Sequence, residues 1–203
     1  MLKSLIASFL AFFLVFSSVV ANSSETVLFK IRQVVHPLVT PHSKTGISTV
    51  VCSAVMLQPE RAITANHCTQ PDTLAIVIKD KEYPILERIA NPDRDLAILI
   101  IPNAPCPCAT IQAKPIQLDQ EVILVGYPQE GGQTLVYGHA QTRITSDREQ
   151  LITTASGAPG KSGGGLFDRS GYLLGIATQM GWGGHITFIE ELTPTTFIRK
   201  ILP

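Results

Sequence analysis

The chain has no surplus charge of either sign. Sixteen Lys and Arg are matched by sixteen Asp and Glu over 203 residues, so no broad field draws it to nucleic acid or to an anionic membrane. Aromatic residues make up only 6%, and none interleaves with a basic stripe as a base-stacking surface requires. Internal repeats and low-complexity tracts are also missing. Cysteine is scarce, at four, and no Cys/His spacing matches a zinc site. Neither a metal nor another cofactor is expected, and nucleic acid is not an expected partner.

Helical periodicity is missing too, until the very end. What recurs is short apolar or alternating runs rich in β-branched residues: 26–35, 47–57, 61–65, 73–79, 95–101, 121–126, 134–145, 150–155, 164–168, 172–179 and 185–190. Pro, Gly, Asn and Asp clusters such as "NPDRD", "PQEGGQ" and "DRSG" separate them, as turns separate strands. Many short strands without intervening helices predict an all-β barrel or sandwich. Only "TPTTFIRKIL" (193–202) reads as helix, with Thr193 as cap, Pro194 at the first helical position and an apolar face of Phe197, Ile198 and Ile201. The stretch 102–115, "PNAPCPCATIQAKP", reads as a connection between two halves of similar size.

The amino terminus is a different kind of segment. Lys3 precedes an almost wholly apolar run from Leu5 to Phe16, and Val19-Val20-Ala21 supplies a small residue before Asn22. That layout predicts a secretory signal over 1–21, with cleavage expected over retention as an anchor. The rest of the chain, 22–203, is then expected to work outside the cytoplasm, periplasmic or secreted, with no membrane association after cleavage.

"SGAPGKSGGG" (156–165) admits two readings. Gly160-Lys161-Ser162 nearly completes a phosphate-binding loop, but residue 155 is Ala where that pattern needs Gly. Such a loop must also open a helix, whose amino terminus helps hold the anion. Here "LFDRSGYLLGIATQ" follows, which reads as strand, turn, strand. Ser162 is instead a glycine-flanked serine of the kind that attacks carbonyl carbon.

Two further segments supply what such a serine lacks. "RAITANHCTQ" places His67 directly before Cys68, sixteen residues after Cys52. Two strands joined at "QPER" would bring these cysteines together, and an oxidising compartment would let them bond. In "NPDRDLAILII", Asp95 abuts a run apolar on both faces and needs a donor where it is partly desolvated; an imidazole N–H suits it. Asp93 fits an ordinary turn aspartate better.

On "TANHC" (64–68), "DLAIL" (95–99), "GKSGGG" (160–165) and the Cys52/Cys68 spacing, the chain resembles trypsin/chymotrypsin-like serine peptidases, nearest to bacterial high-temperature-requirement-type members. The similarity covers about 45–200 and contains no appended peptide-binding (PDZ) domain. It implies two perpendicular six-stranded antiparallel β-barrels with a short C-terminal helix, the first barrel at about 24–110 and the second at about 113–203. It implies His67 as general base, Asp95 as its orienting acid, Ser162 as nucleophile, and the Gly160 and Ser162 N–H groups as oxyanion hole. Polypeptide is the implied substrate. A catalytically inactive homologue that binds polypeptide in the same cleft is the alternative.

The resemblance also places Ser156 at the base of the primary pocket, with Thr178, Gln179, Met180 and the region around His185 on the opposite wall. An uncharged base disfavours Arg or Lys, and a wall narrowed by Ile186 or Thr187 would favour small or medium apolar side chains. Lys161 stands where many animal members carry an aspartate that pairs with a newly cut amino terminus. It cannot make that pair, so no activating cleavage is expected. His36, His42 and His139 read as structural or surface residues. Cys106-Pro107-Cys108 has no family counterpart, and the two cysteines could bond to each other, stay free or join another chain.

Overall fold

In a computed structural model, which describes residues 24–41, 48–145 and 149–192, the chain opens with a helix. Helix α1 covers 24–34, where the run 26–35 predicts a strand. Spacing explains the difference. Val27, Ile31 and Val34 fall at i, i+4 and i+7 and share one helical face, and all three pack into one apolar cluster. Phe29, Lys30 and Arg32 are exposed. The expected helix at 193–202, the leader at 1–21 and His42 lie outside the described residues.

Strands β1 (Val35–Thr40), β2 (Thr49–Gln58), β3 (Arg61–Ala65), β4 (Ala75–Ile78), β5 (Lys81–Pro84), β6 (Glu87–Asn91) and β7 (Leu96–Ile100) form one antiparallel sheet. Its order is β5-β4-β1-β2-β3-β7-β6. Strands β8 (Glu121–Gly126), β9 (Thr134–Thr145), β10 (Glu149–Thr153), β11 (Gly165–Phe167), β12 (Leu173–Gly181) and β13 (Ile186–Glu191) close a six-stranded barrel in the order β10-β13-β12-β11-β8-β9. The two-sheet, all-β architecture is the expected one.

The first sheet carries seven strands where six were expected, because β5 and β6 sit at its edges. Their sequences, "KEYP" and "ERIAN", hold charge on solvent-facing positions, as edge strands do, and so lack an apolar run. A two-residue turn joins β4 to β5. Lys79 and Asp80 both have positive φ there, 49° and 61°, the backbone that a type I′ hairpin demands. Strand β1, also missing from the apolar runs, contains Pro37, yet its pairing with β4 involves only Leu38 and Val39. Pro37 therefore removes no bond from that ladder.

Between the sheets, 101–120 carries one isolated bridge, Ile111 with Leu173, and no ladder strand. Cys106 and Cys108 are bonded to each other within this stretch. That resolves the alternatives their spacing leaves open.

The strands that carry the site are apolar on both faces because they serve two cores. Alternation sends Val55 and Leu57 of β2 to one side and Ala54 and Met56 to the other. In β7, Leu96 and Ile98 face one way while Leu99 faces the other. The first cluster also takes Ile123 and Val125 from β8 and Ile176 from β12, so it is a shared core sealed between the two sheets. A third cluster, with Leu124, Leu151 and Leu166, fills the barrel.

An ion pair adds direction to that seam. Arg94, in the turn before β7, donates from Nε to Glu190 of β13 at 3.0 Å and from Nη2 to the Glu191 carbonyl at 2.8 Å. Glu190 is fully buried, so the guanidinium meets a carboxylate withdrawn from water. Arg143 of β9 holds Glu191 in turn, at 2.6 Å.

His36 is buried in β1, and its Nε2 has no hydrogen-bond partner among the described residues. Burial lowers its pKa from 6.5 to about 4, with the Gln33 backbone pulling weakly the other way. Between those two values the unfolded chain binds a proton that the folded chain refuses. Stability therefore falls as pH drops through that window, by about 3 kcal/mol for a shift of this size. In urea denaturation followed from pH 7 to pH 4, His36→Phe is expected to flatten this part of the profile. An unchanged slope would assign the acid sensitivity to other groups.

Candidate active site

Strand β3 ends at Ala65, and the chain turns through a short 3-10 segment, Asn66–Thr69, that carries His67. A disulfide from Cys68 to Cys52 of β2 fixes this turn to the neighbouring strand, with the two Cα atoms 5.9 Å apart. The two sulfurs and a His67 ring nitrogen lie within 4.8 Å of one another. With both sulfurs bonded, no thiolate is offered to a metal, and the bridge backs the imidazole.

Asp95 approaches from the start of β7. It closes the 3-10 turn Pro92–Arg94 in the left-handed conformation, φ 50° and ψ 42°, with its N–H on the Pro92 carbonyl. Asp is among the few L-residues that accept this backbone. Its carbonyl accepts from the Asn66 N–H at 2.9 Å, and its Oδ1 accepts from the His67 N–H at 3.0 Å. Its Oδ2 lies 2.9 Å from His67 Nδ1. A carboxylate only accepts, so Nδ1 carries the proton and Nε2 is left with its lone pair. The acid is largely buried at 13% side-chain exposure, whereas the imidazole is 41% exposed. Asp93, the competing aspartate, is exposed.

Ser162 lies in the loop between β10 and β11. The loop begins with a turn, Ala158-Pro159-Gly160-Lys161, closed by the Lys161 N–H on the Ala158 carbonyl at 3.0 Å. Pro at the second position and Gly at the third, with φ +92°, is the type II pattern. The Pro159 carbonyl accepts from the Gln129 N–H at 2.9 Å. In a trans peptide the following N–H points the opposite way, so the Gly160 N–H faces away from Gln129. Among the described residues neither the Gly160 N–H nor the Ser162 N–H donates to any acceptor. A Cβ at Gly160 would stand 2.6 Å from both Gln129 N and the Tyr127 carbonyl, so only glycine fits.

The other side of the loop is pressed against the first sheet. The Ser162 carbonyl accepts from the Ser53 N–H at 2.8 Å, and the Cys68 sulfur is 3.7 Å from the same oxygen. A Cβ at Gly163, where φ is +82°, would collide with the Ser53 carbonyl and the Thr64 hydroxyl. These contacts set the serine loop beside the histidine turn. The Ser162 hydroxyl itself donates to the Thr178 carbonyl at 3.3 Å. His67 and Asp95 are thus in direct contact, while no hydrogen bond joins the His67 and Ser162 side chains among the described residues.

A cavity of about 60 Å³ opens next to Ser162. Of the residues expected to line it, Gln179 and Met180 do; Ser156, Thr178 and His185 do not. Thr178 sits at a register shift between Ala177 and Gln179 in the β12–β13 ladder. Its side chain turns inward there, donating to the Phe188 carbonyl and accepting from Gln150 Nε2. His185 is exposed in the turn before β13. Ser156 contributes only its carbonyl, which accepts from Lys161 Nζ at 3.3 Å. Thr187, Gly157 and Lys161 also line the cavity. Lys161 is buried, and desolvation lowers its pKa. Lys161 forms no ion pair among the described residues.

Ser53, which joins the Ser162 loop to the first sheet, and Thr64, which holds the Ser53 carbonyl, were missed in the sequence. The signal was a small hydroxyl inside an otherwise apolar strand, "VVCSAVML". His139 is exposed, 3.2 Å from the Asp119 carbonyl, and His36 is buried in β1 opposite Ala54.

Known proteins share this fold. The serine protease Rv3671c of Mycobacterium tuberculosis is 26% identical over 134 residues, covering 60% of this chain and 34% of that protein. The chloroplastic protease Do-like 2 of Arabidopsis thaliana is 27% identical over 179 residues, 80% of this chain and 29% of its own. This chain therefore spans about a third of the curated relatives it matches. The crystal structure of Rv3671c protease in its active form superposes with a TM-score of 0.75 at 20% identity, over 89% of this chain and 84% of that one. The HtrA-type protease AlgW bound to a tripeptide gives 0.72 at 26% identity, over 83% and 60%. A family description, the trypsin-like peptidase domain, matches residues 52–176, from the cysteine that braces His67 to Ile176 in β12, beyond the Ser162 loop, and the chain belongs to that family.

Proposed function

We propose that this protein is a serine endopeptidase that cleaves polypeptides through an acyl-enzyme intermediate. The observation that carries the reading is the His67 Nδ1–Asp95 pair at 2.9 Å, standing beside a glycine turn with two undirected N–H groups. Asp95 fixes the tautomer and stabilises the imidazolium that forms; His67 Nε2 takes the proton of Ser162 Oγ as that oxygen bonds to the scissile carbonyl carbon. The carbonyl π pair becomes an oxyanion, accepted by the Gly160 and Ser162 N–H groups. His67 then passes the proton to the leaving amine as the C–N bond breaks. Water, deprotonated by the same imidazole, releases the acyl group and restores the serine.

In the resting site the Ser162 hydroxyl rests on the Thr178 carbonyl at the long distance of 3.3 Å. Such contacts shorten or exchange when substrate seats, and this bond must yield to one with His67. Substrate backbone pairs with β12 near Gln179 and Met180 as an added strand. The cavity is small and walled by Met180 and Thr187, so the side chain preceding the cut bond is small and apolar. His185, whose imidazole could recognise an acidic side chain, does not line the pocket. The working place is extracytoplasmic; an apolar segment at 1–21 and cysteines paired as Cys52–Cys68 and Cys106–Cys108 both suit that. Among the described residues no helix is long and apolar enough to cross a membrane.

One observation favours a second reading, a homologue that binds polypeptide without turning it over: the serine hydroxyl is engaged by Thr178 and not by His67. A fluorophosphonate separates the two. Peptide mapping is expected to find the adduct on Ser162, with labelling lost in His67→Ala and turnover lost by about 10⁶ in Ser162→Ala. A folded protein that stays unlabelled would establish the binding module. Asp95→Asn is expected to lower kcat about 10⁴-fold by presenting the wrong tautomer, whereas near-normal turnover would move the role to Asp93. Cleavage of a peptide library is expected to concentrate after Ala, Val and similar residues. Dominant cleavage after Glu or Asp would instead make Lys161 the recognising group.

A further inference from the structure

Ser53 carries no role in the reaction as derived above, yet every polar atom it owns is engaged. It lies in β2, directly after the disulfide Cys52, and is fully buried. Its N–H donates to the Ser162 carbonyl at 2.8 Å. Its carbonyl accepts from the Thr64 hydroxyl at 2.7 Å. Its own hydroxyl donates to the Gly160 carbonyl at 2.9 Å and accepts from the Tyr127 N–H at 2.8 Å. One side chain of the first sheet thus bridges two separate loops of the barrel.

We propose that Ser53 is the positioning residue of the oxyanion turn. Its hydroxyl and N–H hold the Gly160 and Ser162 carbonyls, the two that bracket the Ser162 N–H, and so fix where the two oxyanion donors point. The need for such a clamp follows from the turn itself. A Pro-Gly turn of this type differs from its type I counterpart by a rotation of roughly 150° about the central peptide, with its ends almost unmoved. Glycine at position 160 makes both forms accessible. The rotated form puts the Pro159 carbonyl where the Gly160 N–H had been, and a carbonyl there repels an oxyanion. Gln129 holds the Pro159 carbonyl in the productive direction, and Ser53 holds the next one. The Tyr127 N–H, occupied by the same hydroxyl, keeps the 127–129 loop at the height from which Gln129 reaches.

The inference rests on the peptidase reading for its kinetic consequence and on the turn alone for its structural one, so the two can fail separately. Ser53→Ala removes the hydroxyl and leaves the backbone N–H in place. In the full chain it is expected to lower kcat about 10-fold to 100-fold, less than deletion of an oxyanion donor, with KM within about twofold of wild type because the donors act on the transition state. Rates are counted per active site titrated with fluorophosphonate. A merely structural role would reduce the number of titratable sites and leave kcat per site unchanged, which would overturn the proposal. Affinity for a peptide boronate is expected to fall in parallel with kcat. Ser53→Thr, which keeps the hydroxyl, is expected to recover most of the loss, and recovery no better than in Ser53→Ala would also count against it. Ser53→Gly, which removes the hydroxyl without setting a methyl over two buried polar groups, serves if Ser53→Ala does not fold. The second readout needs no turnover: ¹⁵N relaxation dispersion on the Gly160 amide is expected to be flat in the wild-type protein and to show microsecond-to-millisecond exchange once the hydroxyl is gone. A flat Gly160 profile in the variant sinks the clamp whether or not the protein is a peptidase. Failure of wild-type Ser162 to label sinks the peptidase reading and leaves the dispersion result standing.

Discussion

The constraint on which the site depends is a contact with no room for a side chain. Where β2 meets the serine loop, the Ser53 N–H reaches the Ser162 carbonyl, and Gly163 passes so close to the Ser53 carbonyl that a Cβ could not stand there. Backbone lies directly on backbone across the seam between two sheets. Such an approach is possible only at glycine, and only in the positive-φ region that Gly163 adopts. Every longer-range feature inherits its alignment from this point. The histidine turn is bonded to β2 through Cys52, and the serine loop rests on β2 through Ser53. One strand therefore sets the distance between the His67 turn and the Ser162 loop.

The shared core makes that alignment stiff. Strands β2, β3, β7, β8 and β12 each give one face to the cluster between the sheets and the other to a core of their own. Sliding one sheet over the other would expose Val55, Ile98 and Ile176 together, and close-packed interiors resist such displacement. The Arg94–Glu190 pair then fixes the sense of the docking. It joins the residue beside Asp95 to β13, the strand that also carries the pocket residue Thr187. Removing Arg94 would leave a carboxylate in a dry seam, which is the costly way to lose an ion pair. The turn that presents Asp95 and the wall of the cavity beside Ser162 are thus held by one link.

Legibility followed chemistry more closely than topology. His67, Asp95 and Ser162 stand out because each sits in a short motif whose neighbours have little freedom: a cysteine, a buried strand, a run of glycines. The structure sets His67 against Asp95 as that pattern predicts. Helix α1 was hidden because Thr26, Val27 and Phe29 favour strands on intrinsic preference, and tertiary packing of Val27, Ile31 and Val34 overrode it. Strands β5 and β6 were hidden by their charges, which are what an exposed edge requires. Thr178 faces inward because one register shift in β12 turns a side chain from one face to the other, and no local sequence signal marks that shift. Ser53 was overlooked for the opposite reason: a hydroxyl in an apolar strand marks a polar contact but does not name its partners on a distant loop.

Lys161 shows how the chain solves a problem that its resemblance raises. In animal members an aspartate at that place draws the oxyanion turn into shape by pairing with a new amino terminus. Here the turn is already shaped, and each bond that shapes it comes from inside the described chain: Gln129 on the Pro159 carbonyl, Ser53 on the Gly160 and Ser162 carbonyls, and the Lys161 N–H on the Ala158 carbonyl. The Lys161 side chain is buried against Gly126, whose missing Cβ leaves the space it fills, and its ammonium reaches the Ser156 carbonyl, next to the pocket residue Gly157. Burial disfavours that charge, as its lowered pKa records, so the site accepts a cost in order to span the loop from the oxyanion turn to the pocket. A shorter or acidic residue would leave the cavity beside Gly126 empty or put a second acceptor next to the Ser156 carbonyl. The bonds that hold the turn come from β2, from the 127–129 loop and from the turn itself.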